Sequence, residues 1–152
     1  MKLKDETFNL YRRWMKIHTG VHLSEIKKTL VDQRLMKRLK ARKLESFEAY
    51  YRLLQQKDED AERQMAIDAL TTHETFFFRE PKHFEWFKRF LLTDRPKSQL
   101  LRIWSAAAST GEEVWSIAMM LADCLGTQGP WQLIGSDISQ PVLNKAKTGH
   151  YV

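Results

Sequence analysis

Two short apolar runs, L-L-R-I-W-S at 100–105 and W-Q-L-I-G-S at 131–136, enclose the helical segment E-E-V-W-S-I-A-M-M-L-A-D-C-L at 112–125. This arrangement constrains the fold more than any other feature of the chain. The enclosed segment repeats apolar residues at 114, 117, 118, 121 and 125, which lie on one face of an α-helix. Small residues, A-A-A-S-T-G, follow the first run, and G-T-Q-G-P closes the helix. A second helix then opens at P-V-L-N-K-A-K (141–147), with Pro at its first position. Strand, helix, strand, helix at this spacing predicts a βαβ unit with parallel strands and a right-handed crossover.

The first part of the chain has a different texture. Up to about residue 70 it contains no Pro and a single Gly, Gly20, while Leu, Lys, Arg, Glu and Gln dominate. Helices are expected near 3–17, 24–43, 46–56 and 60–70, with Ser24 and Ser46 as N-caps. The run D-E-D-A-E at 58–62 puts negative charge at the start of the last of these, where the helix dipole favours it. The expected organisation is an all-α helical domain over 1–70, then an α/β domain over 71–152. Charge follows the same division. Residues 1–57 carry 15 Lys+Arg against 6 Asp+Glu, a net of +9, whereas residues 58–152 carry a net of −3. A basic module of this kind points to an anionic partner, with nucleic acid, a membrane surface and an acidic protein all candidates on charge alone.

Several classes are excluded. With 43% hydrophobic and 29% charged residues the chain can bury a core, so wholesale disorder is out. No apolar stretch approaches the ~20 residues needed to span a bilayer, and M-K-L-K-D-E-T is not a secretory leader. The single cysteine, Cys124, excludes an internal disulfide framework, and His18, His22, His83 and His150 fit no metal-ligand spacing. A soluble, cytoplasmic protein without a metal is expected. Cys124, Met119, Met120 and the run Phe76–Phe78 are expected to serve packing.

The turn at 105–113 is where chemistry is expected. Small residues let a backbone approach a ligand, and Asp137 follows the second strand, 26 residues after Gly111. A carboxylate in that place accepts hydrogen bonds from two ribose hydroxyls of an adenosine-type ligand. The turn holds one Gly, not the three of G-x-G-x-x-G, which speaks against a pyrophosphate cofactor. Packing of a tight turn demands small residues as well, so this layout alone leaves both readings open.

Three further blocks are more specific: T-T-H-E-T-F-F-F-R-E-P-K-H-F, R-I-W-S-A-A-A-S-T-G-E-E-V-W-S-I-A and G-S-D-I-S-Q-P-V-L-N-K-A-K-T-G-H-Y. In this order they resemble the CheR-type chemotaxis receptor methyltransferases. The basic stretch R-L-M-K-R-L-K-A-R-K-L-E-S-F-E-A-Y resembles that family's N-terminal helical domain. The resemblance implies a Rossmann-like methyltransferase domain that takes S-adenosylmethionine and releases S-adenosylhomocysteine. It also implies methyl transfer to glutamates of chemoreceptor cytoplasmic helices, the adaptation step of chemotaxis signalling.

Cofactor contacts follow from the resemblance residue by residue. The first block supplies an Asn, a Thr and an Arg in the family; Thr75 and Arg79 match, while His73 stands at the Asn position. The second block implies Ala106 and Glu112, and the third implies Asp137 on the ribose. Arg79 suits a carboxylate, which its planar fork binds at two points. His73 can donate one hydrogen bond but lacks the paired donor and acceptor of an amide.

On the basic helix, Lys27, Arg34, Lys37 and Arg38 fall within about 100° of one another, beside an apolar stripe of Val31, Leu35 and Leu39. Charge alone is compatible with a merely solvated face. The resemblance turns it toward acidic, glutamate-bearing receptor helices, with Arg34 and Arg38 at i, i+4 straddling carboxylates. Nucleic acid is not expected as a partner, because no recognised motif or stacking platform accompanies the charge. The family's later strands, its adenosine-covering loop and its small β subdomain do not appear within these residues. The 152-residue chain is therefore expected to be inactive alone and to self-associate as a dimer. The alternative is a non-catalytic module that binds chemoreceptor helices or a regulatory partner.

Overall fold

In the computed structural model of the protein, which describes residues 2–96 and 99–151, the chain divides into two units, Met1–Thr72 and His73–Val152.

The first unit is helical. It contains α1 (Asp5–Thr19), a 3-10 turn (Glu25–Lys27), α2 (Lys28–Ala41), α3 (Phe47–Leu54) and α4 (Asp60–Leu70). Phe8, Tyr11 and Met15 recur at i, i+3, i+7 along α1, and Val31, Leu35 and Leu39 recur every fourth residue along α2. These two stripes meet Phe47, Tyr50 and Leu54 of α3 and Leu70 of α4 in one core. A fully buried Val or Leu contributes roughly 1.5–3 kcal/mol, so this stripe pattern is what holds the unit. Tyr11 is fully buried, and its hydroxyl donates to the Phe47 carbonyl at 2.7 Å, which offsets the desolvation of the oxygen. Ser46 caps α3: its hydroxyl accepts from the Ala49 amide at 3.0 Å.

The expected helix over 24–43 is interrupted at its start. Ser24 makes no side-chain cap, and Lys27 has φ −80°, ψ 2°, outside the α-helical well. The Nε of Arg12 on α1 donates to the Leu23 carbonyl at 2.8 Å and so fixes the chain entering this turn.

The second unit contains α5 (Pro81–Arg89), a wider π-helical turn (Phe90–Asp94), β1 (Leu101–Ser105), α6 (Glu112–Leu125), β2 (Trp131–Gly135) and α7 (Gln140–Thr148). The strands are parallel, in register from Leu101↔Trp131 to Ser105↔Gly135, as a βαβ unit requires. Leu101, Ile103, Trp131 and Leu133 are half-buried on one face, which α6 covers. On the opposite face Trp104 and its register partner Ile134 are 70% and 63% exposed.

α5 was not expected from sequence. Pro81 starts it at N1 with Glu80 at φ +61°, and Trp86 and Phe87 both stack on Phe90 of the following turn, at 5.7 and 6.5 Å. Phe76 and Phe78 do not enter a core: they are 57% and 42% exposed. Phe78 has φ +54°, and that bend turns its ring onto Phe84 at 5.2 Å. Phe77 is half-buried and edge-on to Tyr151. Cys124 is half-buried and Met119 is 46% exposed, so neither is a core residue. Among the described residues no helix is long and apolar enough to cross a membrane.

Candidate functional site

The turn between β1 and α6 is built so that its backbone can bend tightly. Gly111 sits at φ +99° at the start of α6, and a Cβ there would lie 2.7 Å from the Ala146 Cβ. Gly135 ends β2 against Val114, where a Cβ would come within 2.8 Å of a methyl group. Both positions therefore require glycine, one for conformation and one for close approach.

Ser109 is the hub of this turn. It is 8% exposed with φ +48°, and its amide donates to Asp137 Oδ2 at 2.8 Å. Its hydroxyl donates to the His73 carbonyl at 2.9 Å. The other oxygen of Asp137 accepts from the Ser139 amide at 2.9 Å. Asp137 thus lies two residues beyond β2 and ties the turn to the start of α7. Two of its roughly four acceptor positions remain for other donors.

Four of the six expected cofactor residues gather here. His73 is bonded through Ser109, and Asp137 likewise. The Ala106 carbonyl accepts from the Ser136 hydroxyl at 3.3 Å, and Glu112 accepts from the Thr110 hydroxyl at 2.5 Å. Ala106 is exposed at the carboxyl end of β1, the edge at which parallel α/β sheets bind ligands. The segment holding His73 and Thr75 is pinned again where the Phe78 amide donates to the Ser116 hydroxyl at 2.9 Å. Thr75 is half-buried between these two anchors.

Arg79 stands apart. Its side chain is exposed, donates to the Glu74 carbonyl at 3.0 Å and lies over the Phe76 ring. It lines a cavity of about 750 Å³ with Phe84 and Phe87 of α5, Ile103 of β1 and Glu113 and Ile117 of α6. None of the other five expected residues lines that cavity. Its walls are mainly apolar, and Glu113 is held there by the Ser105 hydroxyl at 2.6 Å.

Sequence reasoning missed Ser109, Glu113 and Tyr151. The Tyr151 hydroxyl donates to the Thr110 carbonyl at 2.7 Å and braces the turn. Burial raises its pKa above the ordinary tyrosine value, and the Glu112 charge adds to this, offset in part by Trp115. Ser109 acts largely through backbone contacts, which carry no side-chain signature; only the small-residue turn hinted at it.

In the first unit, the four expected receptor-facing residues differ in their freedom. Arg38 binds Glu62 at two points, 2.9 and 2.7 Å, and Arg34 Nη1 donates to the carbonyls of Ala69 and Thr71 at 3.1 and 2.8 Å. The expected arginine pair straddling an external carboxylate is therefore turned to partners within the unit. Lys27 and Lys37 are exposed.

The turn fits an adenosine-bearing ligand on this geometry: small exposed residues at the strand end and a carboxylate with acceptor capacity left. Comparison with known proteins agrees. Residues 73–152 match the family described as CheR methyltransferase, SAM binding domain, and S-adenosylmethionine is the cofactor that this domain takes. Residues 6–71 match CheR methyltransferase, all-alpha domain. The chain is 43% identical to the chemotaxis protein methyltransferase of Escherichia coli over 99% of its own length and 52% of the relative's. It is 43% identical to chemotaxis protein methyltransferase 2 of Pseudomonas aeruginosa, over 96% of this chain and 52% of that protein. For the chemotaxis protein methyltransferase of Borreliella burgdorferi the identity is 36%, over 87% and 50%. The chain spans about half the length of these curated relatives. Two adjoining domain matches in one order, over nearly all its residues, make this chain a member of the CheR methyltransferase family.

Proposed function

We propose that the protein to which this chain belongs transfers a methyl group from S-adenosylmethionine to glutamate side chains of chemoreceptor cytoplasmic helices. The observation that carries this reading is the cluster joining His73, Ala106, Glu112 and Asp137 to the β1–α6 turn, in a chain of the CheR family. When bound, S-adenosylmethionine supplies an electrophilic methyl group, which passes to a carboxylate oxygen and leaves S-adenosylhomocysteine.

The chain's own residues bind and orient. Asp137 accepts from the ribose hydroxyls with the acceptor positions that Ser109 and Ser139 leave open. Ala106 presents backbone and no bulk. Glu112 receives the cationic amino group of the methionine moiety, and Arg79, released from the Glu74 carbonyl, binds its carboxylate. His73 and Thr75 complete the donors along the 73–80 segment. An ionised glutamate needs no general base to attack a methyl group, so placement and exclusion of water carry the rate. Lys27 and Lys37, with the outward edges of Arg34 and Arg38, are the candidate contacts to the acidic receptor helix.

Labelled-methyl transfer by the full-length protein to receptor cytoplasmic segments tests the reading. Preference for small molecules or nucleic acid over receptor glutamates would sink it. A second reading, a docking module without transfer of its own, is favoured by the open face bearing Trp104 and Ile134. Titration calorimetry separates the two: micromolar binding of S-adenosylhomocysteine to the 152-residue chain argues against a pure adaptor.

A further inference from the structure

Glu112 is held from two sides by a closed circuit of contacts within the second unit. On its main-chain side, the Glu112 carbonyl accepts from the Ser116 hydroxyl at 2.6 Å, and that hydroxyl accepts from the Phe78 amide at 2.9 Å. On its side-chain side, Oε2 accepts from the Thr110 hydroxyl at 2.5 Å, and the Thr110 carbonyl accepts from the Tyr151 hydroxyl at 2.7 Å. The Tyr151 ring then meets Phe77 edge-on at 4.9 Å, which closes the circuit beside Phe78. Ser116 is fully buried and Tyr151 half-buried. Gly111 makes room for the arrangement, since a Cβ there would lie 2.6 Å from the Tyr151 oxygen. Burial, and after it the Glu112 charge, raises the Tyr151 pKa above the ordinary tyrosine value, so the hydroxyl keeps its proton and donates at neutral pH.

We infer that Tyr151 is a positioning residue for the amino-acid end of the methyl donor. It acts through Thr110 and does not itself touch the ligand. The inference rests on the proposed roles of Glu112 at the cationic amino group and of Arg79 at the neighbouring carboxylate. A glutamate side chain has several rotamers, and fixing it before the ligand arrives spares that entropy on binding. The Thr110 hydroxyl can fix it only from a fixed main chain. Thr110 lies between two residues of left-handed backbone, Ser109 at φ +48° and Gly111 at φ +99°, and Tyr151 anchors the carbonyl between them. Phe77 and Phe78 directly precede Arg79, so the same circuit frames both ends of the amino-acid group. The adenosine end is held otherwise, because Asp137 is fixed by the amides of Ser109 and Ser139.

The test uses the full-length protein, calorimetry and two ligands: S-adenosylhomocysteine, and methylthioadenosine, which keeps the adenosine and the sulfur but has no amino-acid end. Tyr151→Phe keeps the ring against Phe77 and removes the hydroxyl. It is expected to weaken S-adenosylhomocysteine binding about three- to tenfold, the range for one neutral hydrogen bond, and to leave methylthioadenosine binding unchanged. Thr110→Val breaks the next link and is expected to cause a similar selective loss, while Thr110→Ser keeps wild-type affinity. Tyr151→Phe combined with Thr110→Val should lose no more than either alone, a comparison read on S-adenosylhomocysteine only. Trp115→Phe removes the neighbouring tie to the Ala146 carbonyl and shows what loosening α7 does by itself. It is expected to lower the melting temperature and to keep the ratio of the two affinities.

Equal loss for both ligands in Tyr151→Phe would overturn the inference, as would unchanged S-adenosylhomocysteine affinity or additive losses in the double variant. Circular dichroism checks the fold, and Thr110→Val against Thr110→Ser carries the same test if Tyr151→Phe fails to fold. Failure of the underlying reading looks different. Unchanged S-adenosylhomocysteine affinity in Glu112→Gln would remove Glu112 from the amino group and take this inference with it. A loss in Glu112→Gln with none in Tyr151→Phe would overturn the inference alone.

Discussion

Arg38 grips the Glu62 carboxylate at both oxygens, 2.9 and 2.7 Å, in a place where Glu62 is only 3% exposed. Tyr50 donates a third bond at 2.7 Å, and Arg42 approaches at 3.5 Å. This joins α2, α3 and α4 through one buried charge whose acceptor positions are nearly filled. Removing Arg38 strands that charge. Arg38→Ala is expected to destabilise the first unit by about 3–5 kcal/mol, the range for breaking a buried pair on one side. Urea unfolding read through hydrogen exchange in α2 and α4 measures it. A loss below 1 kcal/mol, taken as about the value of a surface pair, would show that water reaches Glu62.

The same network sets a pH dependence. Burial pushes the Glu62 pKa up, but hydrogen bonds from Arg38 and Tyr50 and the Arg38 and Arg42 charges outweigh it, so the net shift is downward. A carboxyl lowered on folding contributes stability above the unfolded value, about 4.3, and loses it as pH falls through the folded value. Wild type should therefore exceed Glu62→Gln in stability at neutral pH, and the two should converge in acid. Parallel stability curves from neutral pH down into acid would contradict this assignment.

Periodicity made the framework legible. The stripes Phe8/Tyr11/Met15 and Val31/Leu35/Leu39 are buried as their spacing requires, and β1, α6 and β2 fall where apolar runs and small turns bound them. α5 escaped because its inward stripe is short: only Phe84 and Phe87 are half-buried at i and i+3, while Trp86 beside them is 57% exposed. Asp137 and Ala106 could be picked out by place in the βαβ unit. Ser109 could not, since its role depends on a positive φ and on bonds to main-chain and carboxylate atoms distant in sequence. Arg34 and Arg38 read as an outward face because helical geometry says nothing about the Ala69 and Thr71 carbonyls opposite the one or the Glu62 carboxylate opposite the other.

Arg79 and His73 can be tested in the full-length protein. Arg79→Ala should weaken S-adenosylhomocysteine binding by about 1.5–3 kcal/mol, the range for a hydrogen bond to a charged group. Unchanged affinity by calorimetry would remove Arg79 from the site and leave it as a brace on Glu74 and Phe76. His73→Asn introduces the amide that the resemblance implies for this position and should preserve or improve binding. Its carbonyl, which accepts from Ser109, is kept in either case, so a large loss would give the imidazole a role of its own.

Trp104 and Ile134 face each other across the parallel pair, and both stay open to solvent. Parallel strands are ordinarily covered on both faces, because the crossovers lay helices over each side. Here α6 covers the face of Leu101, Ile103 and Leu133, and the face of Trp104 and Ile134 is bare among the described residues. A two-stranded sheet is marginal in water unless its apolar surface is covered. The 152-residue chain on its own is thus expected to self-associate, most simply as a two-fold dimer that pairs strands or buries these faces together. Light scattering at rising protein concentration measures this directly. Trp104→Lys with Ile134→Lys should shift the chain toward monomer, because each lysine would have to be desolvated in the dimer. Residues 1–72 carry no such strand, so their buried core should remain monomeric under the same conditions. A wild-type chain that stays monomeric and melts cooperatively would mean that the helices of the second unit protect the sheet in solution.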